Sequence, residues 1–312
     1  VRIVFLGSGA FAIPSFEALL EAGHEIAAVV TQPDRARGRG QRLAPPPLKP
    51  AALARDVRVL QPRRVKEPEA QQALRALAPE VQVVVAFGQI LPKSVIEIPP
   101  RGTVNVHASL LPRYRGAAPI QWAIVNGEPV TGVTTMLIDE GLDTGPTLLR
   151  AETEVAPRET AAELEPRLAR LGAGLLVETL RRLAEGSLQP VPQDHSRATL
   201  APMLRKQDGR IDWARGAQEI DRRVRGFQPW PGASTTLRGR ELKLLRASPE
   251  PDGPGTPGEV VAAGHDGIVV ACGSGTRLRL LEVQPESRRS MSAAAFAAGA
   301  RLLPGERFGP GS

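Results

Sequence analysis

The sequence predicts an α/β domain with a largely parallel, doubly wound sheet, followed by a smaller all-β unit. Three observations carry this. Apolar runs of strand length alternate with helix-spaced segments through residues 1–189. One run, Val81–Phe87, is almost entirely apolar, as a strand buried on both faces of a parallel sheet must be. Beyond residue 204 the pattern changes to short β-like runs cut by Gly, Pro and Asp.

In order, Arg2–Leu6 reads as a strand ending in Gly7-Ser8-Gly9. Pro14–Ala22 has helical spacing and stops at Gly23, and Glu25–Thr31 is a second strand. Ala51–Arg55 reads as a helix, Val57–Leu60 as a strand and Glu69–Leu77 as a helix. Val81–Phe87, Thr103–His107 and Gly132–Ile138 follow as strands. Thr160–Ala184 is a long helix with Leu164, Leu168, Leu171, Leu175 and Leu176 on one face, closed by Gly186. Residues 190–204 hold Pro190, Pro192 and Pro202 without periodicity and read as a linker between domains 1–189 and 205–312. In the second domain Ala233–Leu237, Glu241–Ala247, Gly258–Ala263, Gly267–Ala271 and Thr276–Glu282 read as strands of a small antiparallel barrel or sandwich.

The composition limits the function classes. The chain has 312 residues, 42% of them hydrophobic and 23% charged, which suits a folded core and excludes disorder. No apolar run reaches the roughly 18 residues of a membrane span. The start, VRIVFLGSG, lacks the basic, apolar and small-residue parts of a secretory signal. Cys272 is the only cysteine, so no internal disulfide is expected and a reducing cytoplasm fits. The net charge is +7, carried by 35 Arg against 5 Lys. Residues 1–189 have 22 basic and 20 acidic side chains, against 18 and 13 for residues 190–312. The surplus thus lies mostly in the second domain. The exception is Asp34–Lys49, with Arg35, Arg37, Arg39, Arg42 and Lys49 against one acid. A basic balance favours an anionic partner without proving one.

Three clusters could carry chemistry. Gly7-Ser8-Gly9 after the first strand could admit a phosphate, but position 12 is Ala and Thr31-Gln32 replaces the acid expected of a dinucleotide fold. A tight turn is favoured. Asn105 and His107 alternate onto one face at the carboxyl end of a strand, where open α/β sheets place ligands. An amide donor beside an imidazole suits stabilisation of an oxyanion, though Asn-x-His alone reads more readily as a loop fastening. Asp139–Gly145 is an acidic loop without the regular spacing of a calcium loop. It is equally an ordinary turn or a source of a carboxylate for a histidine.

The string Asn105-Val106-His107-Ala108-Ser109-Leu110-Leu111-Pro112-Arg113-Tyr114-Arg115-Gly116-Ala117-Ala118-Pro119-Ile120, with the Asp139–Gly145 loop, resembles the signature of the 10-formyltetrahydrofolate-dependent formyltransferases. The segments Thr31–Arg35 with Gly38-Arg39-Gly40, Gln207–Trp213 and Phe227–Ala233 resemble the members that act on an aminoacyl-tRNA. The resemblance covers nearly the whole chain. At the first turn the family more usually has Gly-Thr-Pro and an acid, where this chain has Gly7-Ser8-Gly9-Ala10.

The resemblance implies a Rossmann-like catalytic domain and an OB-like, tRNA-binding C-terminal barrel. It implies formyl transfer from 10-formyltetrahydrofolate to the amino group of methionyl initiator tRNA, without a metal. Asn105, His107 and Asp143 would be catalytic, with Asp143 positioning His107. Ser109, Leu110, Leu111 and Pro112 would bind the folate, with Val85–Pro92 beside the pterin ring. Arg35, Arg37, Arg39 and Arg42 would hold the acceptor end of the tRNA, and Arg222, Arg223 and Arg225 would meet phosphates. A monomer is expected. The rivals are a formyltransferase acting on a sugar nucleotide or purine precursor, a formyltetrahydrofolate hydrolase, a non-catalytic nucleic-acid-binding protein and a nicotinamide oxidoreductase. The last is disfavoured by the incomplete glycine motif.

Overall fold

The structure is a computed structural model that describes residues 1–37 and 42–309. The chain divides into two compact units. The first is Val1–Pro119, Val130–Glu154 and Glu165–Ala201, and the second is Ile120–Pro129, Val155–Leu164 and Pro202–Ser312.

The elements up to residue 189 run β1 (Arg2–Gly7), α1 (Ile13–Glu21), β2 (Glu25–Val30), β3 (Arg35–Arg37), β4 (Arg42–Ala44), α2 (Leu48–Leu53), β5 (Val59–Leu60), α3 (Pro68–Ala76), β6 (Val81–Val85), α4 (Lys93–Ile96), β7 (Thr103–His107), α5 (Pro119–Val125), β8 (Val130–Leu137), β9 (Thr147–Glu154) and α6 (Ala161–Glu185). Seven strands form one sheet in the order β5-β2-β1-β6-β7-β8-β9. The pairs from β5 to β7 are parallel, and β7–β8 and β8–β9 are antiparallel. The expected α/β class and largely parallel sheet are therefore present. All five residues of β6 are buried, in keeping with its apolar run.

The order reverses between β1 and β6, so the sheet opens a crevice at their carboxyl ends. β7 lies next to β6, with Asn105 opposite Val84, and delivers His107 to that same edge. Beneath the site α6 packs close to the sheet. A side chain at Gly172 would come within 2.9 Å of Val106, and the buried Thr179 hydroxyl lies 2.9 Å from that of Thr135. The start of α6 is set by a reciprocal Thr160–Glu163 cap, with bonds of 2.9 and 3.3 Å.

The strand β9 was not read from the sequence. Its burial alternates after Leu148 because it is an edge strand with one wet face. The basic segment contains a short antiparallel ribbon, β3–β4, where no structure was expected. Residues 190–201 are also more than a tether. Val191 exchanges two 2.8 Å backbone bonds with Thr147 at the start of β9, and Arg115 is bonded to Thr199 and Ala201. A proline-rich segment has no periodicity to read, yet its free backbone groups pair with loops of the same unit.

The second unit contains α7 (Ala217–Gly226), β10 (Ala233–Leu237), β11 (Arg240–Glu250), β12 (Val260–Gly264), β13 (Gly267–Ala271), β14 (Arg277–Pro285), β15 (Met291–Ser292) and α8 (Ala293–Ala300). The strands pair antiparallel in the order β10-β11-β14-β13-β12, with β15 on β14. Trp213 anchors the core: its ring stacks on Phe308 at 5.9 Å and its N–H donates to Thr235 at 3.0 Å. Phe227 is fully buried and meets the edge of Trp122 at 5.9 Å. Among the described residues no helix is long and apolar enough to cross a membrane.

Cys272 lies in this second core, 1% exposed. Burial pushes its thiol up to about 12, because a thiolate there would lose its hydration. A thiol reagent at about pH 8 should therefore leave the native chain unlabelled and modify one thiol after denaturation. Rapid labelling of the native chain would contradict this burial.

Candidate functional site

The strand β7 places Asn105 and His107 two residues apart, so both project from one face at the sheet's carboxyl edge. The Asn105 amide is half-buried and makes no hydrogen bond among the described residues. It is an idle donor aimed from a rigid strand, which is what a developing oxyanion requires.

His107 is 6% exposed. Its Nε2 lies 2.9 Å from the Tyr114 carbonyl oxygen. A carbonyl only accepts, so Nε2 carries the hydrogen and the neutral ring exposes its Nδ1 lone pair. That Nδ1 is 3.6 Å from Oδ2 of Asp143, too far for a direct hydrogen bond. Asp143 is held by other means. Its Oδ2 accepts the Gly116 N–H at 2.8 Å, and its backbone sits at φ +50° in the left-handed region.

The Asp139–Gly145 loop is folded by its own first residue. Asp139 Oδ1 accepts from the Gly141 N–H at 3.0 Å and the Thr144 hydroxyl at 2.6 Å. This is the turn chemistry that aspartate favours. It spends Asp139 internally and leaves Asp143 as the carboxylate beside the histidine. Among the described residues no group of three His, Cys, Asp or Glu is placed to hold a metal ion.

Ser109 and Leu111 are fully buried. The Ser109 hydroxyl donates to the Arg113 carbonyl at 2.7 Å, and the Leu111 N–H donates to Thr134 Oγ1 at 3.1 Å. Thr134 in turn donates to the Ser109 carbonyl at 2.7 Å. These two side chains support the loop from inside, and the half-buried Leu110 and Pro112 are the members of the segment with exposed surface. In the Val85–Pro92 loop, Phe87 is buried while Ile90 is 93% exposed. Ser8, at the divergent first turn, ties this loop down. Its hydroxyl donates to the Phe87 carbonyl at 3.1 Å and accepts the Gln32 N–H at 3.1 Å.

Two cavities lie elsewhere in the first unit. One of about 200 Å³ lies among Ser8, Gly9, Gln32, Arg35 and Pro47. The other, of about 580 Å³, lies among Ile96, Thr103, Leu137, Asp139 and Glu140.

The basic segment folds partly into the β3–β4 ribbon, where Arg35 faces Ala44 and Arg37 faces Arg42 in register. The three arginine positions therefore fall in the same phase of the ribbon. Arg35 is exposed and donates to Gln32 Oε1 at 3.1 Å. Arg39 lies outside the described residues. Lys49 is not a free cation of this segment, because it pairs with Asp34 at 2.8 Å. Bonds from Lys49 and Gln61 hold the Asp34 carboxyl below its usual range.

Two of the α7 arginines are paired. Arg225 is bonded to Asp221 at 2.9 Å and to the Glu159 carbonyl at 3.0 Å. Arg223 lies 3.6 Å from Glu219 and stands over the Phe227 ring. Both have partners inside the second unit. Exposed cations there include Arg205, Lys206, Arg210, Arg240, Arg288 and Arg289; Arg240 and Arg288 line a cavity of about 430 Å³.

Sequence reasoning missed the backbone partners Tyr114 O and Gly116 N–H, which no residue type announces. It also missed Gln193, read as linker. Its amide reaches the carbonyls of Asp143 at 2.9 Å and Gly145 at 2.7 Å.

Comparison with known proteins covers both parts of the chain. A formyl transferase family model matches residues 1–180, and a model of the formyl transferase C-terminal domain matches residues 203–301. The chain is similar to a methionyl-tRNA formyltransferase of Solibacter usitatus, 55% identical over 312 residues and covering 100% of this chain and 99% of that one. It is similar to another of Geobacter metallireducens, 52% identical over 309 residues and covering 99% of each. Among solved structures, the sugar 3N-formyl transferase WlaRD has a TM-score of 0.67 at 18% identity, covering 93% of this chain and 99% of that one. HypX of Aquifex aeolicus has a TM-score of 0.65 at 19% identity, over 98% of this chain and 48% of that one. These two likenesses speak to fold alone.

The placement of Asp143 depends on Gly145. A Cβ there would sit 1.9 Å from the Leu137 carbonyl oxygen. Gly145→Ala should displace the loop, lower the turnover rate at least about tenfold and leave the far-ultraviolet circular dichroism unchanged. Full turnover in that variant would contradict the account of the loop.

Proposed function

The chain belongs to the formyl transferase family, and we infer that it transfers a formyl group from 10-formyltetrahydrofolate to the amino group of methionyl initiator tRNA, yielding N-formylmethionyl-tRNA for translation initiation. One observation carries this reading: end-to-end identity of 55% and 52% to methionyl-tRNA formyltransferases, through both domains. The solved sugar formyltransferases share the fold at under 20% identity, which does not favour their substrate.

The site supports the reaction as follows. The neutral α-amine attacks the formyl carbon, and a carbon–nitrogen bond forms while charge collects on the formyl oxygen. The idle Asn105 amide donates to that oxygen. His107 has Nε2 committed to Tyr114, so its contribution comes through Nδ1, which donates when the ring is protonated beside the Asp143 carboxylate. Asp143 accepts the amine proton through a water. The intermediate then collapses, the bond to N10 breaks, and N10 takes up a proton. Formyl and proton balances close without a redox step, and no metal is required.

We assign catalysis to residues 1–189 and tRNA contact to residues 205–312, with residues 190–204 between them. Ser109–Pro112 and the Val85–Pro92 loop serve the folate, with Leu110, Pro112 and the exposed Ile90 as the surface offered to it. Arg35, Arg37, Arg39 and Arg42 serve the acceptor end of the tRNA, and the exposed Arg240, Arg288 and Arg289 serve its phosphates. The enzyme acts as a monomer in the cytoplasm.

The test is to incubate the protein with 10-formyltetrahydrofolate and methionyl initiator tRNA and to follow formyl-methionine. Formylated tRNA is expected; product on a sugar amine, with none on tRNA, would overturn the reading. In the same assay Asn105→Ala should lower kcat by about 10²–10³-fold with little change in KM. Arg39→Ala should lose activity on tRNA while folate binding, followed by titration calorimetry, is kept. Unchanged activity at physiological salt would remove that arginine from the tRNA contact.

A further inference from the structure

We propose that Gln193, with the buried Arg115 behind it, is the positioning residue that holds Asp143 in place for the reaction. This rests on the reading of Asp143 as the carboxylate that works with His107.

The geometry is specific. Gln193 is 6% exposed and uses both ends of its amide. Its Nε2 donates to the carbonyl of Asp143 at 2.9 Å and to that of Gly145 at 2.7 Å. It thus grips the backbone on both sides of Thr144. Its Oε1 accepts two bonds from Arg115, from Nε at 3.2 Å and Nη2 at 2.7 Å. Those bonds fix the orientation of the amide, since the opposite orientation would set nitrogen against guanidinium.

Arg115 is itself 6% exposed. Its Nη1 donates to His195 Nδ1 at 3.2 Å, and among the described residues no carboxylate lies within 4.0 Å of it. A buried cation without a counter-ion is costly unless its donors are all well used. Here its charge polarises the Gln193 carbonyl, which strengthens the N–H bonds that the same amide makes to the Asp143 loop. Arg115 also begins the second grip. The next residue, Gly116, donates its N–H to Asp143 Oδ2 at 2.8 Å. A side chain at Gly116 would meet the Ala201 carbonyl at 2.5 Å, so the backbone approaches closely there.

One short unit therefore fastens Asp143 twice. Gln193 fixes its backbone and Gly116 fixes its carboxylate, and Arg115 links the two. Residues 190–201 act as a strap that ties the loop after β7 to the loop after β8. Its ends are sewn by the Val191–Thr147 bonds and by bonds from Ala201 to Arg115 and from Ala118 to Ala201. Neither Gln193 nor Arg115 needs to touch substrate to do this.

Gln193→Glu isolates the grip. Glutamate keeps the oxygens that Arg115 binds, but it has no N–H for the two loop carbonyls and sets an oxygen against them. We expect kcat for formyl transfer to fall at least about tenfold. KM for each substrate should stay within about twofold, and the melting temperature within about 5 °C, of the parent values. A kcat within about twofold of the parent would overturn the proposal. So would a melting temperature lowered by more than about 5 °C, which would make Gln193 a residue of the fold only.

A double-mutant cycle reads the coupling directly. In an Asp143→Asn background, followed by single-turnover formylation, adding Gln193→Glu should cost less than about threefold, because its target is already disabled. The same tenfold cost in both backgrounds would overturn the proposal. Parental activity in Asp143→Asn alone would remove the premise about Asp143, and an inactive parent chain would remove the functional reading. Each failure is thus distinguishable from that of the grip itself.

Discussion

The structure turns on the 3.6 Å approach of Asp143 to His107. One ends a strand and the other lies on a loop that leaves the sheet at a different level. His107 ends β7 and pairs with Thr134 of β8, whereas Asp143 follows β8, whose Leu137 returns opposite Val104 near the other end of β7. The acidic loop must therefore run back along the strand to reach the histidine. An antiparallel β8, the Asp139 turn and the close pass of Gly145 over Leu137 make that possible. Without that return, the amide, imidazole and carboxylate would not meet.

Holding the approach has costs. Asp143 sits in the left-handed region, at about 1 kcal/mol. Arg115 keeps a charge buried among neutral partners. His107 gives up Nε2 to a backbone carbonyl. Each cost removes a freedom that the site would otherwise lose during reaction, so reorganisation is settled during folding. The Asn105 side-chain amide makes no hydrogen bond within the described residues, and it is the donor that a transition-state oxygen can claim. The basic surplus lies elsewhere, in the β3–β4 segment and on exposed arginines of the second unit, and a small folate site does not need it.

Much of the frame was legible. The strand at β6 announced itself by unbroken apolar residues, and α6 by its leucine stripe and terminal glycine. Asn105 and His107 were legible as a same-face pair at a strand's carboxyl end, but their catalytic assignment and the choice of Asp143 came from a resemblance, since Asn-x-His and an acidic turn are each common. What was not legible shares one physical cause. Sequence shows which groups exist but not which are already spent. Arg223 and Arg225 looked like phosphate ligands and are paired with carboxylates of their own helix. Lys49 looked free and is held by Asp34. Residues 190–201 looked like a tether because their order comes from hydrogen bonds to distant loops, which leave no periodicity. The side chains of Ser109 and Leu111 are buried inside their loop, which a residue type does not announce.

The central claim is that the Asn105 amide and the His107 ring, set by Asp143, meet the formyl group. A crystal structure with 5-formyltetrahydrofolate, a stable relative of the donor, measures this most directly. The account predicts the folate in the crevice at the carboxyl ends of β6 and β7, with its formyl group facing these three side chains and the Asn105 amide within about 3 Å of the position an oxyanion would take. A folate bound in that crevice with its formyl group more than about 6 Å from both Asn105 and His107 would contradict it.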